Sequence, residues 1–180
     1  MQYNLTEWRK RVSERSDLSA HLIHLTRKNK AETTDMVLYQ ILKSRKLLGS
    51  STSSGFIIGD EKAVCFQDIP IYSICQNILT EQNMKLKNAN VKLRYQPMGL
   101  AFKKDYVFNK GGRPAIYDKT DNAKYYLPKS EWWRIVNMDF SDPNNIIDWS
   151  HEREWRVKGD FQFELKDVTI LLNRLSSFQK

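Results

Sequence analysis

Leu5, Trp8 and Val12 recur at helical spacing, which predicts a short amphipathic helix over about Asn4 to Ser13. The stretch Ala20–Thr26 is apolar and ends in Thr, as a buried strand does, with Leu22 and His24 on one face and Ile23 and Leu25 on the other. A helix follows. Thr33, Thr34 or Asp35 can cap it, Val37, Leu38, Ile41 and Leu42 supply its apolar face, and Gly49, just past Lys43–Lys46, reads as its C-cap. After the serine loop Ser50–Ser54, Ala63–Phe66 reads as a short buried strand, Asp68–Pro70 as a turn and Ile71–Leu79 as a second helix.

From Leu93 the texture changes. Gly99–Lys103 and Ala115–Tyr117 read as strands joined by the loop Lys110-Gly111-Gly112-Arg113-Pro114. Glu131–Val136 reads as helical and Asp142–Asn145 as a turn. Trp155–Val157 and Phe161–Leu165 form a hairpin about Gly159-Asp160, and Val168–Leu172 is a last strand. Helices crowd the first half and strands the second, the texture of an α+β fold rather than of an alternating parallel sheet. No repeat or long linker divides the 180 residues, so one domain over 1–180 is expected, with 1–19 as a helical extension.

The net charge of +8 favours phosphates and acidic partners, or serves solubility alone. Basic residues cluster only modestly, at Arg9–Arg15, Arg27–Lys30 and Lys103–Lys110, and form no long tail, so a sequence-specific reader of nucleic acid is not indicated. Cys65 and Cys75 lie in apolar company without ligand spacing and are expected as buried free thiols, which fits a reducing compartment. The polar N-terminus lacks a signal-peptide core, and no apolar run is long enough for a membrane span; a cytoplasmic protein with no membrane partner is expected.

The sharpest chemical segment is Asp148-Trp149-Ser150-His151-Glu152-Arg153-Glu154-Trp155-Arg156. Strand alternation would put Glu152, Glu154 and Arg156 on one face. Two carboxylates there must each pair with a cation, or one must hold its proton to higher pH. Such an acid can stabilise an oxocarbenium-like centre or take a proton; the plainer reading is a surface strand laced with Glu–Arg pairs. His24 and Thr26 form a second polar pair, on an otherwise apolar strand. His24 can donate to a ribose hydroxyl, or it is simply a satisfied core histidine. Gly111-Gly112-Arg113-Pro114 could let backbone and a guanidinium approach a phosphate, or it is a plain loop. Tyr117, Phe66 and Tyr95 are candidate stacking groups, although most aromatics are core. Metal-ligand spacing is absent, so no metal is expected; a metal-dependent nuclease using Asp148, Glu152 and Glu154 is the last-ranked reading.

Several pieces in order carry a resemblance: H-L-T (His24–Thr26), A-V-C-F-Q-D-I-P (Ala63–Pro70), M-G-L-A-F-K-K (Met98–Lys104), G-G-R-P-A-I-Y (Gly111–Tyr117) and W-S-H-E-R-E-W-R (Trp149–Arg156). Over about residues 20–160 the chain resembles the abortive-infection AbiGi family of phage-defence proteins. It is more loosely similar to the DarT-type ADP-ribosyltransferases. The resemblance implies a split antiparallel sheet of ADP-ribosyltransferase type, with helices mainly from the N-terminal half, and NAD as the substrate. It implies that His24 and Thr26 hold the nucleotide and that a late-strand glutamate, Glu152 or Glu154, is catalytic. With the residue-level candidates added, the expected catalytic set is Glu154, Glu152 and His24, and the expected nucleotide contacts are His24, Thr26, Arg27, Phe66, Arg113 and Tyr117. A nucleic-acid or protein acceptor and a cognate toxin or antitoxin partner follow from the same likeness. An alternative is a catalytically inactive antitoxin or interaction protein on the same fold. Arginine-directed toxins of that fold carry an arginine on the first strand, where this chain has His24, and an S-T-S motif that Ser51-Thr52-Ser53 matches only in an apparent loop.

Overall fold

Asn4 begins the first helix through a reciprocal capping box. Its side chain accepts from the Glu7 N–H at 3.0 Å, and the Glu7 carboxylate accepts from the Asn4 N–H at 3.1 Å. The computed structural model describes residues 2–29, 31–90 and 93–173. Lys30, part of a basic cluster noted above, lies outside them. In chain order the elements are α1 (Leu5–Ser13), β1 (His21–Leu25), α2 (Thr34–Ser44), β2 (Lys46–Leu47), β3 (Ala63–Gln67) and α3 (Ile71–Lys87). Then come β4 (Gly99–Lys103), α4 (Lys104–Asn109), β5 (Arg113–Pro114), β6 (Ile116–Asp118) and α5 (Thr120–Tyr126). The last are β7 (Ile135–Asn137), β8 (Glu154–Lys158), β9 (Phe161–Gln162) and β10 (Val168–Leu171). The protein is α+β, and its three longer helices all come from the first half.

Two compact units are interleaved along the chain. The first comprises the described parts of Met1–Arg45, Ile69–Lys104 and Glu164–Lys180. Its strands run in the order β10-β4-β1, both pairings antiparallel, with Leu22 opposite Phe102 and His24 opposite Leu100. Ile23 and Leu25 point to one face and pack with Ile74 and Ile78 of α3, together with Ile69, Tyr95 and Ala101. Gly99 is required where β4 meets β1, because a Cβ there would fall inside the His24 carbonyl. Glu81, buried on α3, accepts the backbone N–H groups of Arg94 and Tyr95 and so ties the segment before β4 to the helix.

The second unit comprises Lys46–Asp68 and Asp105–Phe163. Its main strands run β3-β8-β5, again antiparallel, so all six strands of the two triplets pair antiparallel. Short pairs β2–β9 (antiparallel) and β6–β7 (parallel) complete it. Phe66 packs edge-on against Phe161 at 5.2 Å between ring centres, and Ile57, Ala63 and Trp133 form a further cluster. Among the described residues no helix is long and apolar enough to cross a membrane.

Several expectations are corrected. Gly49 does not cap α2: Arg45 does, at φ 54°, while Gly49 is needed because a Cβ would clash with the Gly159 carbonyl oxygen. The helix beginning at Ile71 runs on to Lys87, because the buried charge of Glu81 interrupts its apolar stripe without ending it. α4 lies where the sequence reads as strand running into loop, being too short at six residues to show a period. Arg113 and Pro114, read as loop, pair at the sheet edge, where a proline is tolerated. The segment from Glu131 is a 3₁₀ turn (Lys129–Arg134) leading into strand β7 rather than a helix to Val136. The expected hairpin does not form either. β9 pairs with β2, because Gly159 N–H bonds the Lys62 carbonyl at 2.7 Å and the Asp160 carboxylate takes the Gly49 N–H at 3.0 Å. Of the two thiols expected to be buried, Cys75 is exposed and Cys65 is half-buried.

Candidate functional site

β3 and β8 pair with Cys65 opposite Arg156 and Gln67 opposite Glu154, and directly opposed residues share a face. These four side chains therefore meet on one face of the second unit. Arg156 is 2% exposed, yet all five of its N–H groups are used. Nε and Nη2 fork onto the two Glu154 oxygens at 2.9 and 3.3 Å. Nη1 donates to the Trp133 and Ile135 carbonyls at 2.8 and 2.9 Å, and Nη2 also donates to the Phe56 carbonyl at 3.1 Å. Burial works against the guanidinium charge, but the Glu154 carboxylate outweighs it and holds the Arg156 pKa above its ordinary value. One guanidinium thus fastens β8 to the 3₁₀ turn, to β7 and to the Phe56 loop.

The same knot fixes its neighbours. Burial, reinforced by the charge of Glu154, pushes the Cys65 thiol well above its usual range. Burial likewise raises the Tyr117 phenol, whose oxygen accepts the Glu154 backbone N–H. The Gln67 Oε1 and Trp133 Nε1 atoms are buried without a hydrogen-bond partner.

Alternation holds for Glu154 and Arg156 but fails for Glu152. That residue ends the 3₁₀ turn Ser150–Glu152, which Asp148 organises by accepting the Ser150 N–H at 2.8 Å. Arg153 then turns the backbone through φ 44°, ψ 54°, and β8 starts at Glu154. The Glu152 and Arg153 carbonyls both accept from Asp68 N–H, at 3.3 and 3.2 Å. The Asp68 carboxylate in turn accepts from Trp155 Nε1 at 3.2 Å. Glu152 is half-buried, and its charge is felt by both Tyr117 and Cys65.

The other expected site residues fall as follows. Phe66 is 1% exposed in the core, and Tyr95 is in the core of the first unit. The Arg113 guanidinium lies 4.2 Å from the centre of the Phe108 ring and donates to the Phe108 and Gly112 carbonyls. His24 and Thr26 belong to the first unit, on the β1 face opposite Ile23 and Leu25. His24 is half-buried, Arg27 is exposed, and Thr26 is 2% exposed with its hydroxyl oxygen lacking a hydrogen-bond partner. Ser51-Thr52-Ser53 enters a short 3₁₀ turn. Sequence reasoning missed Cys65, Gln67 and the three carbonyls that Arg156 binds. The E-x-R spacing signals the ion pair, but nothing in the sequence signals its backbone acceptors.

Among the described residues no group of three or more His, Cys, Asp or Glu side chains is placed to hold a metal ion. Comparison with family models, curated proteins and solved structures finds no match for the chain.

Proposed function

We propose that the protein is an NAD-dependent ADP-ribosyltransferase-like enzyme of a phage-defence or toxin–antitoxin system, built on the split antiparallel sheet of that superfamily, with Glu152 as its acid. The observation that carries the reading is the backbone at Arg153. A non-glycine residue in the left-handed region costs on the order of 1–3 kcal/mol and tends to mark functional sites. Arg45, the other such residue among those described, caps α2 and has no acid next to it in the chain. Arg153 likewise caps a turn, Ser150–Glu152, with its N–H on the Ser150 carbonyl at 3.0 Å; what sets it apart is that it turns Glu152 out of the strand while the Glu154–Arg156 fork anchors the chain immediately after it.

Not every expected nucleotide contact fits. Thr26, with an orphaned buried hydroxyl, suits a ligand hydroxyl, and His24 shares its face. Phe66 in the core and Arg113 seated on Phe108 do not suit stacking or phosphate binding as they stand. NAD would supply an activated ADP-ribosyl group with nicotinamide as leaving group. Glu152 would stabilise the positive charge that develops on the ribose and orient the acceptor, an electrostatic role worth about 3–4 kcal/mol per key group. The acceptor would be a nucleic acid or a protein.

Incubation with labelled NAD, cell extract, DNA and RNA tests the reading. Label should move onto one macromolecular fraction, and the absence of both transfer and nicotinamide release would overturn it. The full engagement of Glu154 favours a second reading: a non-enzymatic antitoxin or interaction protein, in which the acid pair survives only as architecture. That reading predicts no NAD binding by calorimetry and a stable complex with a cognate toxin or antitoxin.

A further inference from the structure

An open hollow of about 380 Å³ lies on the second unit, and Lys46, Lys110, Lys158, Asp160 and Gln162 line it. Lys46 comes from β2, Lys158 ends β8 and Lys110 follows α4, so three separate elements bring ammonium groups to one hollow. Asp160 holds Lys46 and also Lys62, which lies outside the lining. Its two oxygens receive Lys46 Nζ and Lys62 Nζ, each at 2.7 Å, and its Oδ1 also takes the Gly49 N–H. An ammonium has three N–H donors; Lys46 and Lys62 each direct one to Asp160, which leaves further donors for a second anion. Lys158 meets Glu61 at 2.7 Å, and Lys110 lies 5.3 Å from the centre of the Tyr106 ring. The lining thus carries three lysines and one carboxylate, and with Lys62 and Glu61 beside it the local balance stays positive.

We propose that this cleft binds the phosphodiester backbone of a nucleic acid. Its polar groups suit phosphate oxygens, while the aromatic at its floor, Phe161, is 1% exposed and offers no face on which a base could stack. Binding is therefore sequence-independent and salt-sensitive, because each phosphate contact releases a condensed counterion. Its apolar lining residues, Val157 and Phe161, are buried and offer nothing to enter a bilayer, which favours a run of phosphates over a membrane surface. The inference stands apart from the transferase reading, since binding needs no NAD.

The test is fluorescence anisotropy of labelled DNA and RNA duplexes, without NAD, over a salt series. The wild type is compared with Lys110→Ala/Lys158→Ala and with the charge-matched control Lys85→Ala/Lys87→Ala on α3, all checked for an unchanged melting temperature. The cleft pair should weaken duplex binding at least tenfold and lower the slope of log affinity against log salt by about 0.9 per lost contact. The control pair should bind as the wild type does. Equal binding by the cleft pair, equal loss in the control pair, or wild-type binding to anionic phosphatidylserine vesicles but to neither duplex would each overturn the proposal.

Discussion

Removing one partner of the buried Glu154–Arg156 fork leaves the other charge stranded, because Arg156 has no solvent to turn to. Glu154→Leu and Arg156→Met should each lower stability by about 3–5 kcal/mol. The double variant Glu154→Leu/Arg156→Met should be milder than the sum of the two, since it removes the charge and its desolvation together. Urea denaturation of the four proteins checks this, and strict additivity would show that the pair is not coupled. The two thiols should also separate. Desolvation and the charge of Glu154 disfavour the Cys65 thiolate, and Cys65 is half-buried whereas Cys75 is exposed, so a thiol-reactive dye added to native protein should label Cys75 rapidly and Cys65 far more slowly. Rapid labelling of two thiols in the native state would contradict the placement of Cys65.

At the scale of elements, glycine positions join pieces that the sequence does not show to be neighbours. Gly49→Ala and Gly99→Ala should each destabilise by about 1–3 kcal/mol through overpacking against a carbonyl, measurable by thermal melts. What the sequence reveals follows the range of the interaction. The Asn4 helix, the HLIHL strand and the AVCF strand are legible because apolar spacing and local caps decide them. The true place of Gly49 and the pairing of β9 with β2 are not, because both depend on one distant junction, where Gly49, Lys62 and Asp160 meet the Gly159 turn. In the candidate site, the facing of Glu154 and Arg156 follows from strand period alone. The exclusion of Glu152 from that strand depends on the left-handed turn at Arg153, a position where residue type would have suggested continued extension.

For the whole molecule, two carboxylates give stability an acid limb. Hydrogen bonds from Lys46, Lys62 and the Gly49 N–H hold the Asp160 carboxyl well below its ordinary range. Hydrogen bonds from Ser141, with Lys119 adding, hold Asp139 at about 2. A carboxyl depressed in the folded state binds fewer protons there than in the unfolded chain. Its contribution is therefore complete above about pH 5, and it fades as pH falls through the unfolded value of about 4 toward the folded one. Asp160→Asn should flatten the acid limb of a melting-temperature profile while changing its slope little above about pH 6. An acid limb identical to the wild type would refute the role given to Asp160.

We propose a division of labour in which Glu154 holds the architecture and Glu152 serves as the acid for chemistry. Nicotinamide release from labelled NAD by wild type and Glu152→Gln, paired with melting temperatures, tests it most directly. The account predicts turnover reduced by about 10²–10³-fold in Glu152→Gln with the melting temperature unchanged. Turnover equal to that of the wild type in the folded variant would contradict it.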